Sequence, residues 1–143
     1  MCKIKAYGIC LYKKNKLQTE VLLCKAVVSK NNWGYVKGVQ EKNETNKETA
    51  LREFHEEASI LISSKYLEQY FEQKNEKKDI GIYLVNYDNI RNKDKYFSNG
   101  ELKKDCLSPE NSQIKFFDIK NMPKIKKKQR DLSSQIVNYL KKG

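Results

Sequence analysis

No apolar run in the 143 residues approaches the roughly 18 that a membrane-crossing helix needs. The opening Met1-Cys2-Lys3-Ile4-Lys5-Ala6 lacks the apolar stretch of a secretory signal. Arginine is scarce: Arg52, Arg91 and Arg130 are the only three among 29 basic residues. A reader of nucleic-acid sequence draws more on arginine, whose planar fork binds phosphate and guanine edges at two points. Cys2, Cys10, Cys24 and Cys106 show no C-x-x-C spacing, and His55, the one histidine, gives them no zinc-site partner. They read as reduced structural thiols rather than metal ligands or disulfides. These absences leave a single cytoplasmic domain spanning 1–143, with no membrane partner.

The chain does hold charge and aromatic bulk. Its net charge is +11, its mean hydropathy −0.83, and nine Tyr, five Phe and one Trp exceed what a disordered polymer carries. The charge is uneven. Residues 115–143 hold nine basic against two acidic side chains, whereas residues 41–57 hold six Glu against Lys42, Lys47 and Arg52. An acidic block inside a basic chain calls for an explanation beyond solubility.

Periodicity supplies the elements. Lys3–Tyr12 and Glu20–Val28 read as two strands of a hairpin around a polar turn at 13–16. Over 47–58 the period changes, with Ala50, Leu51, Phe54, Ala58 and Leu61 on one arc of a helix. Thr45 and Glu48 form a capping box that opens it. Strands are expected at Tyr66–Phe71, Ile80–Tyr87 and Ile114–Ile119, and a long polar loop at Asn89–Asp105. A basic helix closes the chain at about 129–141, with Leu132, Ile136, Val137 and Leu140 buried.

On the first helix, Glu53, Glu56 and Glu57 are spaced by three and four, which puts three carboxylates along one edge. Like charges so placed cost an isolated helix roughly 0.2–0.5 kcal/mol per pair. Arg52 reaches Glu56 at i+4 but cannot neutralise all three. A hard divalent cation can, because clusters of oxygen ligands suit Mg2+ or Mn2+. Taken alone, the pattern also suits a solvated acidic face.

The surrounding residues decide between the two. Gly38, Glu44, Arg52, Glu53, Phe54, Glu56, Glu57 and Ile60 fall at eight of the nine defined positions of G-x5-E-x7-R-E-U-x-E-E-x-G-U, where U is apolar. The chain resembles the Nudix hydrolase family, whose signature this is. The departure is Ser59, where the family has a glycine that ends the helix; a retained left-handed backbone there would cost about 1 kcal/mol.

The resemblance implies an α/β fold, the Nudix α/β/α sandwich with a central mixed sheet. It implies cleavage of a nucleoside diphosphate linked to another group, with Mg2+ (or Mn2+) held by Glu53, Glu56 and Glu57 and by the Gly38 carbonyl. Arg52 would orient the glutamates, and Glu44 would hold the loop. Glu53 is the first candidate for the general base and Glu110 the second.

Flanking residues resemble the dinucleoside tetraphosphate hydrolases of that family: Trp33-Gly34-Tyr35-Val36-Lys37-Gly38 and Leu107-Ser108-Pro109-Glu110, followed by Lys115-Phe116. Val36 and Phe116 depart from that group's proline and tryptophan. On this likeness Glu110 is a further metal ligand, Lys37 touches phosphate and Tyr83 stacks on a base. Trp33 and Tyr83 also read as core residues, and His55 as an exposed one.

The expected substrate is a small-molecule nucleotide polyphosphate, foremost a dinucleoside polyphosphate. Alternatives are the 5′ end of RNA, nucleoside triphosphates or ADP-ribose. A Nudix-like nucleotide- or RNA-binding protein without turnover is the reading of another class. No residue in the sequence specifies an oligomeric state.

Overall fold

The computed structural model describes residues 3–29 and 31–143, so the readings of Met1 and Cys2 fall outside the described residues. Among the described residues the strands are β1 (Ile4–Lys14), β2 (Thr19–Ala26), β3 (Val36–Val39), β4 (Tyr70–Lys74), β5 (Lys78–Asn86), β6 (Phe97–Ser98), β7 (Glu101–Leu102) and β8 (Asn111–Asp118). The α-helices are α1 (Asn46–Ala58), α2 (Lys93–Tyr96) and α3 (Arg130–Lys142).

β1 organises the sheet because both its edges are paired. Along one edge it runs parallel to β5, from Ile4 opposite Lys78 to Tyr12 opposite Asn86. Along the other it pairs antiparallel with β3 at Ala6–Ile9 and with β2 at Tyr12–Lys14. The strand order is β4-β5-β1-β2-β8-β7-β6, with β3 beside β1. One parallel pair among antiparallel neighbours makes the sheet mixed.

Alternation along the strands splits the apolar side chains between two cores. Tyr7, Ile9, Leu11, Tyr83 and Val85 face α1 and meet its Ala50, Phe54 and Ala58. Cys10, Ile80, Ile82 and Leu84 face the other way and meet Leu132, Ile136 and Leu140 of α3. Helix, sheet and helix therefore stack as the α/β/α sandwich that the sequence implied.

Both ends of α1 are fixed by side chains. Glu48 N donates to Thr45 Oγ1 at 3.1 Å, and Thr45 N donates to Glu48 Oε1 at 2.8 Å. The expected capping box is present. The helix ends one turn short of Leu61, which is 77% exposed and does not extend the apolar stripe.

Two other expectations shift. The strand expected at Tyr66–Phe71 begins at Tyr70, since Ser64–Tyr66 forms a 3-10 turn. The polar segment Asn89–Asp105 is not a loop: it folds into α2 and a tight hairpin of β6 and β7 turning at Asn99-Gly100. Both turn residues have positive φ, 54° and 77°, the conformation an Asn-Gly hairpin supplies. Phe97 and Leu102 anchor this hairpin in the core beneath α1.

Candidate active site

β3 runs into a loop that returns as α1, so Gly38 lies against the helix edge bearing the glutamates. A Cβ on Gly38 would overlap the Glu53 carboxyl group. Only glycine lets the strand backbone approach that carboxylate so closely. A cleft of about 600 Å3 opens there, lined by Lys37, Gly38, Glu53, Glu56, Glu57, Lys78 and Glu110, with Val39, Ser108 and Pro109.

Arg52 sits at the centre of the acidic network. Its Nη1 donates to Glu53 at 2.8 Å and to Glu56 at 3.0 Å. Its Nε and Nη2 donate to the two oxygens of Glu44 at 2.6 and 3.0 Å, and Nη2 also reaches the Val39 carbonyl at 3.1 Å. Glu44 accepts further bonds from Glu41 N and the Thr49 hydroxyl, both at 2.9 Å. It therefore clamps the loop, and the Arg52 bonds hold its pKa down at about 2.

Glu57 sits apart from that guanidinium and is held by Asn111, whose amide donates to its carboxylate. Asn111, 7% exposed, opens β8 directly after Glu110. The loop before it docks onto the end of α1. Ser108 N donates to the Glu57 carbonyl at 3.3 Å, and the Ser59 hydroxyl donates to the Cys106 carbonyl at 2.8 Å. Ser59 keeps the left-handed backbone expected of a glycine, at φ 68°.

The electrostatics of the cleft are two-sided. Burial pushes the Glu53 and Glu57 carboxyls above their usual range, and repulsion from Glu110 adds to both; Arg52 opposes the shift at Glu53 and Asn111 at Glu57. Opposite them, burial and then crowding by Lys78 lower the Lys37 ammonium to about 8. Lys78 is itself lowered by burial and then by Lys128 and Lys126. One wall thus holds carboxylates short of positive charge and the other holds crowded ammonium groups.

The acidic wall fits a divalent cation on its donor chemistry. Three carboxylates from α1 and one from the facing loop are oxygen donors throughout, as Mg2+ and Mn2+ favour. Among the described residues, no group of three His, Cys, Asp or Glu side chains is already gathered around one point. Glu53 and Glu56 are instead drawn onto Arg52, and Glu57 onto Asn111.

Of the residues singled out in the sequence, Lys37, Gly38, Glu53, Glu56, Glu57 and Glu110 come together in the cleft, with Arg52 behind them. Tyr83 does not line the cleft. It is 8% exposed in the core beneath α1, its ring 4.7 Å from that of Tyr70. Alternation along β5 turns it inward. Trp33 is likewise buried, edge-on to Phe117 at 4.7 Å, and His55 is exposed. Asn111 and Lys78 went unnoticed in the sequence. Neither carries a local signal in a chain rich in Asn and Lys, and only the register of β8 and β5 brings them to the cleft.

A family model described as the NUDIX domain matches residues 3–136. No curated protein matches the chain. Among solved structures, a Caenorhabditis elegans Ap4A hydrolase in a binary complex is 21% identical with a TM-score of 0.66, over 98% of this chain and 99% of that one. A NUDIX hydrolase from Nitrosomonas europaea is 18% identical with a TM-score of 0.68, over 99% of this chain and 72% of that one. The NUDIX domain of Shewanella oneidensis NrtR, complexed with ADP ribose, is 15% identical with a TM-score of 0.65, over 98% and 90%. At these identities the likeness is one of fold.

Proposed function

The chain belongs to the Nudix family of hydrolases, and from that premise we propose that it cleaves a phosphoanhydride bond of a dinucleoside polyphosphate with the help of Mg2+ or Mn2+. The observation that carries this reading is the division of one cleft into an acidic wall of Glu53, Glu56, Glu57 and Glu110 and a basic wall of Lys37 and Lys78. A polyphosphate with its cation presents both signs of charge side by side and suits both walls.

The bound cation would neutralise phosphate oxygens and make an adjacent water more acidic. Glu53, Glu56, Glu57, Glu110 and the Gly38 carbonyl would hold it. Lys37 contacts the phosphate oxygens as a point charge. Arg52 orients Glu53 and Glu56 through charge-assisted bonds. Glu53 takes the proton of the attacking water, whose oxygen bonds to phosphorus as the bridging oxygen leaves with the departing phosphate. Burial, which raises the Glu53 pKa, makes it a stronger base than an exposed carboxylate. Glu110 is the alternative base.

A second reading, action on the 5′ end of RNA, draws on the basic residues of the C-terminal third. Offering Mg2+ with diadenosine tetraphosphate, triphosphorylated RNA, ADP-ribose and nucleoside triphosphates side by side separates the two. The dinucleotide reading predicts the highest kcat/KM on the first; a preference for RNA that falls steeply with salt would replace it with the second.

A further inference from the structure

Beside the carboxylate cleft lies a second cavity of about 370 Å3, lined by Lys37, Lys78, Lys126, Lys127 and Lys128 with Ile80 and Gln129. Lys37 and Lys78 line both spaces, so the two adjoin. Five lysines line one small volume with no carboxylate in its lining. Among the described residues none of the five joins an ion pair. Crowding like charges is unfavourable; Glu57 across the cleft offsets it in part at Lys37, and an anion would relieve the rest.

The far wall is held firmly rather than left as a loose basic tail. Trp33 N donates to the Lys124 carbonyl at 2.8 Å, and Lys126 N donates to the Trp33 carbonyl at 2.9 Å. The buried Gln129 side chain accepts from Tyr35 N at 2.8 Å. Asn75 donates to the Lys128 carbonyl at 3.1 Å, tying the wall to the turn between β4 and β5. These bonds fix the backbone of 124–129 against the segment that leads into Lys37. The Lys127 and Lys128 side chains remain exposed.

No aromatic ring lines this cavity, so it offers no stacking platform for a base. Ammonium groups without aromatic partners suit phosphate oxygens. We propose that this lysine annex is a phosphate subsite: it holds those phosphates of the substrate that lie beyond the bond being cleaved, and so selects long oligophosphate chains over a two-phosphate linkage. The proposal rests on the hydrolase reading for its kinetic consequence, and on geometry alone for anion binding.

The test compares K126A/K127A/K128A with a charge-matched control, K14A/K16A/K142A, whose lysines are exposed elsewhere. In the annex variant, KM for diadenosine tetraphosphate is expected to rise roughly tenfold, at least fivefold more than KM for ADP-ribose. Tripolyphosphate titrated calorimetrically in EDTA is expected to bind roughly tenfold more weakly to it, with the control within about twofold of the parent. Equal KM changes for both substrates, or equal losses in both variants, would overturn the subsite. So would a 5′-triphosphorylated RNA that loses more affinity than tripolyphosphate does. If the parent hydrolyses neither nucleotide, the hydrolase reading fails, and the tripolyphosphate titration alone decides the annex.

Discussion

The Ser59 hydroxyl donates to the Cys106 carbonyl at 2.8 Å, fastening the end of the acidic helix to the loop that carries Glu110. The same residue holds the left-handed backbone, at φ 68°, that glycine adopts without strain. The hydroxyl thus offsets, through a hydrogen bond, a cost that its Cβ imposes. Ser59→Ala keeps the strain and loses the bond, whereas Ser59→Gly loses both. The expected order in urea unfolding places Ser59→Ala below Ser59→Gly by about 1 kcal/mol. A Ser59→Ala protein as stable as Ser59→Gly would show that the left-handed cap is not strained.

Arg52 spreads one guanidinium over Glu44, Glu53, Glu56 and the Val39 carbonyl. Lysine keeps the charge but cannot fork. Arg52→Lys is expected to lower stability by roughly 1–3 kcal/mol and to reduce kcat more than it changes KM. Chemical denaturation and steady-state kinetics on the same preparation check both halves. A variant with unchanged kcat would remove Arg52 from the positioning of Glu53 and Glu56.

Acid tolerance follows from Glu44. Its folded pKa, about 2, lies below the ordinary carboxylate value of 4.5. A depressed pKa adds stability that is complete above the unfolded value and is lost as pH falls through the folded one. The parent should therefore lose stability between about pH 4.5 and 2, and Glu44→Gln should lose less over the same interval. Melting temperatures taken across that range supply the comparison; parallel curves for the two proteins would contradict it.

Tyr83 lies in the core rather than in the cleft, with its ring against Tyr70. Tyr83→Phe keeps that packing, so KM for a nucleotide substrate should change by less than about twofold. A KM that rises tenfold, with the fold intact by circular dichroism, would return Tyr83 to the substrate.

Much of this arrangement was legible because its signals are local. The hairpin of β1 and β2, the capping box at Thr45 and Glu48 and the buried face of α3 each follow from a period or a short motif. So did the glutamate edge of α1. β4 was displaced because its residues are only half-buried at a sheet edge, which leaves no alternation to read. The hairpin of β6 and β7 did have a local signal in Asn99-Gly100, obscured by the polar residues around it. Long-range register hid the rest: Lys78 and Lys126–Lys128 share a cavity although about fifty residues separate them. Asn111 meets Glu57 only because β8 begins beside the end of α1.

In the proposed function the α1 glutamates support cation-dependent cleavage of a phosphoanhydride. The most direct measurement follows diadenosine tetraphosphate by anion-exchange chromatography with the parent in Mg2+, the parent in EDTA, and Glu56→Gln and Glu57→Gln in Mg2+. ATP and AMP in equal amounts are expected from the parent with Mg2+. In the other three samples the expected rate is lower by at least about a hundredfold, with melting curves that still report a folded protein. Intact substrate in every sample, with Mn2+ as with Mg2+, would contradict that function, as would full activity in EDTA or in either variant.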